Sequence, residues 1–281
     1  MSFHNRGYLS AEAKQWGENY TLLHQDYFEY FHSVNRISCE LLKSAELDCA
    51  DGPQLFVAGL FVRSLTVFQS AIILAERGIV SELRTMVRSL YELRFQTEAI
   101  FKDPVIGARL ILKAEELEGK RLEAISKQQR SEGEDPHRAQ RELRLKNLPE
   151  DLRRMEAQIL AQRGDLADKS GRLRPLTIKK LAEVADMATD YVIIYSYLCE
   201  ATHSSARYLD EMIEYDENGR FAGFGYQQNK KDLLVCCFTA AELHLNNLIR
   251  TVQVLKTTPP PGLEQLDNAH RRLEDQLRRA Q

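Results

Sequence analysis

The chain has little glycine and proline, and its two charge signs nearly cancel. Fourteen Gly and eight Pro occur among 281 residues, so long segments free of helix-breaking residues must exist, and helices are the expected content. With 38 Lys and Arg against 41 Asp and Glu, the formal net charge is -3. Together with 43% apolar residues, this balance indicates a globular chain and offers no global argument for nucleic-acid binding.

Targeting and membrane signals are also lacking. Residues 1–17 contain no basic stretch followed by an apolar one, so we expect no secretory signal. The most hydrophobic stretch, residues 55–75, is interrupted by Arg63 and Gln69 and predicts a buried core helix, not a transmembrane span. Five cysteines occur without a CxxC pair, which indicates reduced, buried thiols. We expect a cytoplasmic protein with no membrane association.

Familiar catalytic and cofactor motifs are missing as well. The sequence contains no GxxxxGK[ST], GxGxxG, HExxH or GxSxG motif, which excludes the corresponding nucleotide, zinc and hydrolase sites. Its seven histidines form no HxH or HxxxH pair. We therefore expect neither a metal site nor another cofactor.

Helical periodicity and breaker residues divide the chain into long helices. Aromatic residues recur at helical spacing between residues 11 and 50, which predicts an amphipathic helix with at most one break. Pro53 and Gly78 bound the next helix, and Asp103-Pro104 closes the one after it. Because a single glycine region connects these two helices, they should turn back on each other, with the apolar one central.

A strongly charged segment follows. Between residues 113 and 174, 15 basic and 13 acidic residues interleave, a pattern typical of solvent-exposed helices with ion pairs one turn apart. We predict a projecting pair of helices at about 113–174, with an acidic turn at residues 131–136.

The last part of the chain carries one strand signal. Asn218-Gly219 lies between short aromatic stretches, which predicts a β-hairpin. The prediction is therefore an all-α helical bundle of six to nine helices with a charged projecting helical pair and one small β-hairpin. Its regions would be an N-terminal amphipathic segment (1–52), a helical core carrying the charged insert (53–256), and a Pro-rich spacer with a charged helix (257–281).

Two sets of polar residues are candidates for a site. Arg84, Arg88 and Glu92 are four residues apart and fall within one helical sector of roughly 80°, where they could bind an anion. The same spacing also suits an exposed ion-pair ladder in which Glu92 pairs with Arg88, which would contribute a few tenths of a kcal/mol.

The second set lies on a mostly apolar helix expected at residues 190–208. Its members are Tyr195, His203, Ser204 and Arg207. An imidazole there could act as acid or base near neutral pH, and the Ser and Arg groups could hold a phosphate or carboxylate. A single His on an apolar helix can equally be a hydrogen-bonded core residue, and no partner at fixed spacing decides between the two interpretations.

Two of these segments resemble a known family. Residues 55–104 combine an apolar helix, a Gly turn and the string RSLYE, and a later helix carries YSYLCEATHSS. This combination resembles the bacterial family called domain of unknown function 5677, over roughly residues 55–256. The residues that match are Arg88, Glu92 and His203.

The resemblance implies an all-helical fold similar to the HEPN (higher eukaryotes and prokaryotes nucleotide-binding) group. Many members of that group are metal-independent ribonucleases of toxin and phage-defence systems that act as dimers. Those nucleases carry an Arg separated by four to six residues from a His on one helix. Before His203 the corresponding positions hold Ser196, Tyr197 and Leu198, so that motif is absent here.

Two classes of function remain open. In the first, a HEPN-like stress or phage-defence protein acts on RNA, with Arg88 binding phosphate, Glu92 orienting a partner and His203 as acid or base. In the second, the same residues are the buried polar network of a non-catalytic scaffold that contacts a partner protein or a second copy. Sensing of a small anionic ligand is a third possibility. The long apolar helices suit a homodimer, but core packing explains them equally well.

Overall fold

The protein is a bundle of long helices with one small hairpin. The computed structural model describes residues 3–45, 52–129, 138–202, 205–210, 212–225, 230 and 232–279. Over these residues the protein is 81% helical, with eleven helices where six to nine are predicted, and one two-stranded antiparallel sheet. The predicted all-α class with one hairpin is therefore confirmed.

After a short helical turn at Phe3–Arg6, four longer helices form the amphipathic segment and the central hairpin. They are α1 (Ala11–Leu23), α2 (Gln25–Ser44), α3 (Gly52–Ala75) and α4 (Val80–Lys102). The single break allowed in the first segment falls at His24, between α1 and α2. Gly78 joins α3 to α4 with a φ of 71°, a left-handed conformation that glycine adopts without steric cost.

The charged segment forms the next two helices, α5 (Val105–Gln129) and α6 (Arg138–Gln162). Helix α6 packs mainly against α5, and Arg144 of α6 pairs with Glu115 of α5. Leu148 supplies one of the few buried side chains of α6. The acidic turn predicted at residues 131–136 lies outside the described residues.

The C-terminal third contains short elements followed by two long helices. They are α7 (Ile178–Val184), α8 (made of Ala188–Asp190, Tyr191–Tyr195 and Ser196–Thr202), α9 (Ala206–Asp210), β1 (Ile213–Tyr215), β2 (Phe221–Phe224), α10 (Leu233–Leu255) and α11 (Leu263–Arg279). In the hairpin Ile213 pairs with Phe224. Its turn contains Gly219 with a φ of 74°, as the Asn-Gly signal predicts.

Helices α3, α4 and α10 pack against one another and form the centre of the bundle. Their buried side chains belong to one hydrophobic cluster that also takes in α2 and α11, for example through Phe31 and Leu273. Each buried Phe or Leu contributes about 1.5–3 kcal/mol of transfer free energy. By length and composition α3 could cross a membrane, because an 18-residue stretch of it has a mean hydropathy of 1.8. Half of that stretch is buried inside the protein.

Candidate functional site

Four side chains from two helices meet at one place on the bundle. Arg88 and Glu92 of α4 pair at 2.8 Å, and the hydroxyl of Tyr195 in α8 donates to Glu92 Oε1 at 2.6 Å. The guanidinium of Arg88 donates from Nη2 to the Tyr195 hydroxyl at 3.1 Å and from Nε to Cys199 Sγ at 3.2 Å. We call this group the Arg88 cluster. It joins segments that lie more than a hundred residues apart in the sequence.

An unusually wide helical turn positions Tyr195. Tyr191–Tyr195 is a π-helix, in which hydrogen bonds span five residues instead of four. The amide of Ser196 donates to the Tyr191 carbonyl oxygen, and the Ser196 hydroxyl donates to the same oxygen at 2.9 Å. Such turns occur often at functional sites in proteins. Here the turn brings Tyr195 against Phe95 of α4, with ring centroids 5.7 Å apart.

The Arg88 cluster is partly buried. The side chains of Arg88 and Glu92 keep 17% and 28% of their surface exposed. Burial lowers the pKa of Arg88, but the Cys199 hydrogen bond and the Glu92 carboxylate outweigh it, so the pKa is raised overall. Burial and the hydrogen bond to Glu92 raise the pKa of Tyr195. At neutral pH the cluster therefore holds a cationic guanidinium and a neutral phenol.

Arg84 lies one turn before Arg88 and has its own partners. Its Nη2 donates to Asp232 Oδ2 at 3.2 Å, and its guanidinium carbon lies 5.8 Å from the centre of the Tyr197 ring. Asp232 precedes α10 and adopts a φ of 63°, a left-handed conformation that is uncommon for a residue with a side chain. The Tyr197 side chain is 42% exposed. Two arginines and two tyrosines thus border the same junction of α4 and α8.

Three predicted site residues, His203, Ser204 and Arg207, cannot be placed relative to the Arg88 cluster. His203 and Ser204 lie outside the described residues. Arg207 belongs to α9, and its side chain is likewise not described. The structure therefore brings together Arg88, Glu92 and Tyr195, with Arg84 one turn away on α4.

Sequence reasoning missed two of the partners. The sequence marks Cys199 only by its place one turn after Tyr195, and Asp232 lies 148 residues from Arg84. No local spacing connects residues that far apart. The one available signal is that Arg84 and Arg88, on a helix expected in the core, need anionic or polar partners elsewhere in the fold.

A second arginine-glutamate pair on α4 is more deeply buried. Arg94 Nη2 lies 2.8 Å from Glu98 Oε2, and Arg250 of α10 donates to the same oxygen at 2.7 Å. Arg94 also donates to the carbonyl of Asn246 at 3.3 Å. The Glu98 side chain is only 5% exposed, so this network is internal to the bundle.

A neutral histidine lies in the core. His244 is fully buried, with a serine hydroxyl at hydrogen-bond distance from each ring nitrogen: Ser38 at 2.9 Å and Ser64 at 2.8 Å. The rings of Phe61 and Phe68 stack on it. Burial lowers its pKa to about 3. His244 therefore holds α2, α3 and α10 together as an uncharged group.

Elsewhere the described residues offer no group of three or more His, Cys, Asp or Glu that could hold a metal ion. A groove of about 640 Å³ lies between α2 and α11, along Tyr30, Arg36 and Arg272. It shares no residue with the Arg88 cluster. Of the places described, the α4–α8 junction is the one that combines charge, partial exposure and the residues predicted from the sequence.

Comparison with known proteins gives one result. Residues 54–221 match the model of a family described as Family of unknown function (DUF5677), a match that covers more than half of the 281 residues and includes both α4 and α8. No match was found among curated proteins or among solved structures. The chain belongs to the DUF5677 family.

Proposed function

We propose that this DUF5677 protein is a HEPN-like stress or phage-defence protein that acts on RNA, with the Arg88 cluster as its phosphate-binding element. The observation that carries the proposal is the convergence of Arg88, Glu92 and Tyr195 at a partly exposed junction. A guanidinium held in place by a carboxylate and a phenol is preorganised for a phosphate oxygen, because its orientation costs nothing further on binding.

Each residue has a distinct role in this proposal. The Nη1 group of Arg88 takes part in none of the contacts with Glu92, Tyr195 and Cys199, so its two N–H groups are the ones offered to the ligand. Glu92 and Tyr195 fix the plane of the guanidinium. Arg84, whose side chain is 13% exposed, would extend the positive potential along α4.

His203 is the proposed acid and base. It follows Cys199 by four residues, so the chain keeps its Cα within roughly 14 Å of the Cys199 Cα. In the reaction, His203 would take the proton of a ribose 2'-hydroxyl, whose oxygen attacks the adjacent phosphorus while the bond to the 5'-oxygen breaks. The protonated imidazole would then give its proton to the departing 5'-oxygen. The products would be a 2',3'-cyclic phosphate and a 5'-hydroxyl, with Arg88 stabilising the negative charge of the transition state.

Total RNA is the substrate for the direct test. The wild-type protein is incubated with it beside Arg88→Ala, His203→Ala and the control Arg278→Ala, which removes an exposed guanidinium on α11. We expect cleavage by the wild type and the control, cyclic-phosphate ends on the products, and loss of cleavage in the two site variants. Unchanged RNA in every sample at high protein concentration would contradict the proposed nuclease activity.

One observation favours a second candidate, the non-catalytic scaffold. Three contacts of Arg88 are already made within the protein, and two of them, to Tyr195 and Cys199, join α4 to α8. In this alternative the cluster fixes the packing of those helices, and the charged pair α5–α6 contacts a partner protein. Arg88→Ala would then lower the unfolding temperature without changing the binding of labelled single-stranded RNA, measured by fluorescence polarisation.

Sensing of a small anionic ligand would use the same guanidinium. Inorganic phosphate and a mononucleotide are the probes for it, in calorimetric titrations of the wild type and Arg88→Ala. If the wild type binds the mononucleotide saturably, Arg88→Ala abolishes that binding and no RNA is cleaved, the protein is a ligand sensor and not a nuclease.

A further inference from the structure

Helix α3 keeps one face uncovered along most of its length. The residues of this face are spaced by three or four and fall within a sector of roughly 80°. Leu55, Val62 and Ile73 are 38%, 47% and 62% exposed. We call the set the α3 face; its members are Leu55, Gly59, Val62, Thr66, Ser70 and Ile73. An exposed stripe this long on the most apolar helix of the chain needs an explanation.

The polar atoms of the α3 face need no water. The hydroxyl of Thr66 donates to the Val62 carbonyl oxygen at 3.0 Å, and that of Ser70 donates to the Thr66 carbonyl oxygen at 2.9 Å. Between Leu55 and Ile73 the only charged residue is Arg63, and it lies at the edge of the sector, where a long side chain reaches solvent. The face can therefore be buried without leaving an unsatisfied polar group.

Gly59 has no explanation within a single chain. A Cβ placed on it would meet no atom within 4 Å in the described part of the chain, so none of those neighbours requires a glycine there. In a helix interior glycine destabilises by roughly 0.5–1 kcal/mol relative to alanine. A residue without a side chain on an open face does allow another helix backbone to approach closely.

The order of sizes along the α3 face is self-complementary. Read from its middle, between Val62 and Thr66, each half runs from a medium residue through a small one to a large one. An antiparallel copy of the same helix then places Leu55 opposite Ile73, Gly59 opposite Ser70, and Val62 opposite Thr66. A two-fold interface needs this property, since the same patch must fit itself.

We propose that the α3 face is a homodimer interface in which α3 of one protomer crosses α3 of a second copy in antiparallel orientation about a two-fold axis between Val62 and Thr66. The inference does not depend on the RNA activity, because the α3 face and the Arg88 cluster share no residue.

The available area predicts how strong this dimer is. From Leu55 to Ile73 the helix rises about 27 Å, and a strip about 10 Å wide along it covers roughly a third of the 800 Å² that each partner buries in a standard interface. Helix α2 lies beside the strip, since Gln69 of α3 donates to Asn35 of α2 at 2.8 Å. Leu42, two turns further along α2, is 43% exposed and could add to the buried area. We expect a dimer that dissociates on dilution.

Sedimentation velocity over a dilution series tests the interface. Gly59→Glu and Ser70→Arg each place a charge in the proposed contact with no opposite charge on the facing residue of the second copy, and should raise the dimer dissociation constant on the order of tenfold or more. The double variant carries opposite charges at these two positions, which face each other twice across the axis, and should restore the dimer.

Ile193→Glu is the matched control, because it places the same charge on a 66% exposed apolar residue of α8 and should leave the dimer intact. Folding can be monitored separately. The Cβ that Gly59→Glu adds has no described atom within 4 Å, and the change replaces a poor helix former, so the unfolding temperature of the variant at protein concentrations where the wild type is monomeric should not fall.

Three results would overturn the proposal. The first is a monomeric wild type at every concentration. The second is a double variant as weakly associated as the singles, which excludes the antiparallel pairing. The third is a monomeric wild type that sediments with uncharged phosphatidylcholine vesicles, a result that would identify the α3 face as a lipid-binding surface.

Discussion

Helix α4 carries the same arginine-glutamate pair twice, and the two copies differ only in their surroundings. Arg88 and Glu92 lie 2.8 Å apart, and so do Arg94 and Glu98. The first pair keeps 17% and 28% of its side-chain surface exposed, whereas the second keeps 11% and 5%. The third partner also differs: a tyrosine of α8 joins the first pair, and Arg250 of α10 joins the second.

Depth decides what each pair can do. Burial is the largest influence on Arg94 and lowers its pKa, while at Arg88 the neighbouring Cys199 and Glu92 outweigh burial and raise the pKa. The carboxylate of the Arg94 pair is almost fully buried, so the interactions of that pair stay within the protein, whereas the more exposed Arg88 pair can also bind a ligand. Spacing in the sequence is identical for both, so it carries no information on which pair forms a site.

Removing the carboxylate from each pair should give the largest difference. Glu98→Ala leaves Arg94 buried without its partner carboxylate and should lower the free energy of unfolding by about 3–5 kcal/mol. Glu92→Ala leaves Arg88 with access to water and should cost about 1 kcal/mol. Urea unfolding followed by circular dichroism measures both, each variant serving as the control for the other. Equal losses would contradict the assignment of one pair to the core and the other to a site.

The pH dependence of stability extends the comparison to another buried basic group, His244. Its pKa is about 3 in the folded state and about 6.5 when unfolded. Below pH 6.5 the unfolded chain therefore binds a proton that the folded protein does not. Stability is complete above pH 6.5 and should fall by up to about 1.4 kcal/mol per pH unit as the pH drops, or about 2 kcal/mol by pH 5.

Urea unfolding at pH 7, 6 and 5 measures this slope. His244→Gln removes the titrating group, so the slope of the variant should be clearly shallower than that of the wild type, whatever its absolute stability. His24 and His270 titrate in the same direction, since burial lowers their pKa values as well, and they contribute to the remaining slope, whereas Glu242, whose pKa burial raises, acts in the opposite direction. An unchanged slope in the variant would show that His244 is not the neutral core group described above.

The smallest effect concerns the hydroxyl of Tyr195. Tyr195→Phe removes one hydrogen bond to Glu92 and one from Arg88, and should cost about 1 kcal/mol of stability. The matched variant is Tyr197→Phe on the same helix, whose ring is 42% exposed, and its stability should change by less than about 0.5 kcal/mol. Thermal unfolding of the two variants side by side measures the difference. An equal effect would mean that the Tyr195 hydroxyl is not held in the cluster.

Local chemistry made most helix ends predictable. Gly78 and Asp103-Pro104 end helices where their backbone preferences require it, and Thr177 caps α7 by accepting a hydrogen bond from the Lys180 amide at 3.1 Å. Asn218-Gly219 predicts the hairpin that β1 and β2 form. These signals act over a few residues, so a single sequence contains them in full.

The site was predictable only in part, because its partners come from distant segments. Arg88 and Glu92 were identified from their spacing and Tyr195 from its helix, but their meeting depends on how α4 packs on α8. Asp232, Cys199 and Arg250 became partners through tertiary packing alone. The depth of Glu98 relative to Glu92 likewise follows from the position of α10, which no local pattern specifies.

The wide turn at Tyr191–Tyr195 gives the chain tolerance to a change of length at this point. Five residues there complete a turn that an ordinary helix completes in about four, so deletion of a single residue at 192–194 would restore regular geometry. Both kinds of turn carry the chain once round the helix axis, so the two parts of α8 would keep their relative orientation. Val192, Ile193 and Ile194 are all exposed, so such a deletion removes no core side chain and would leave Tyr195 and Cys199 on the side of α8 that meets α4.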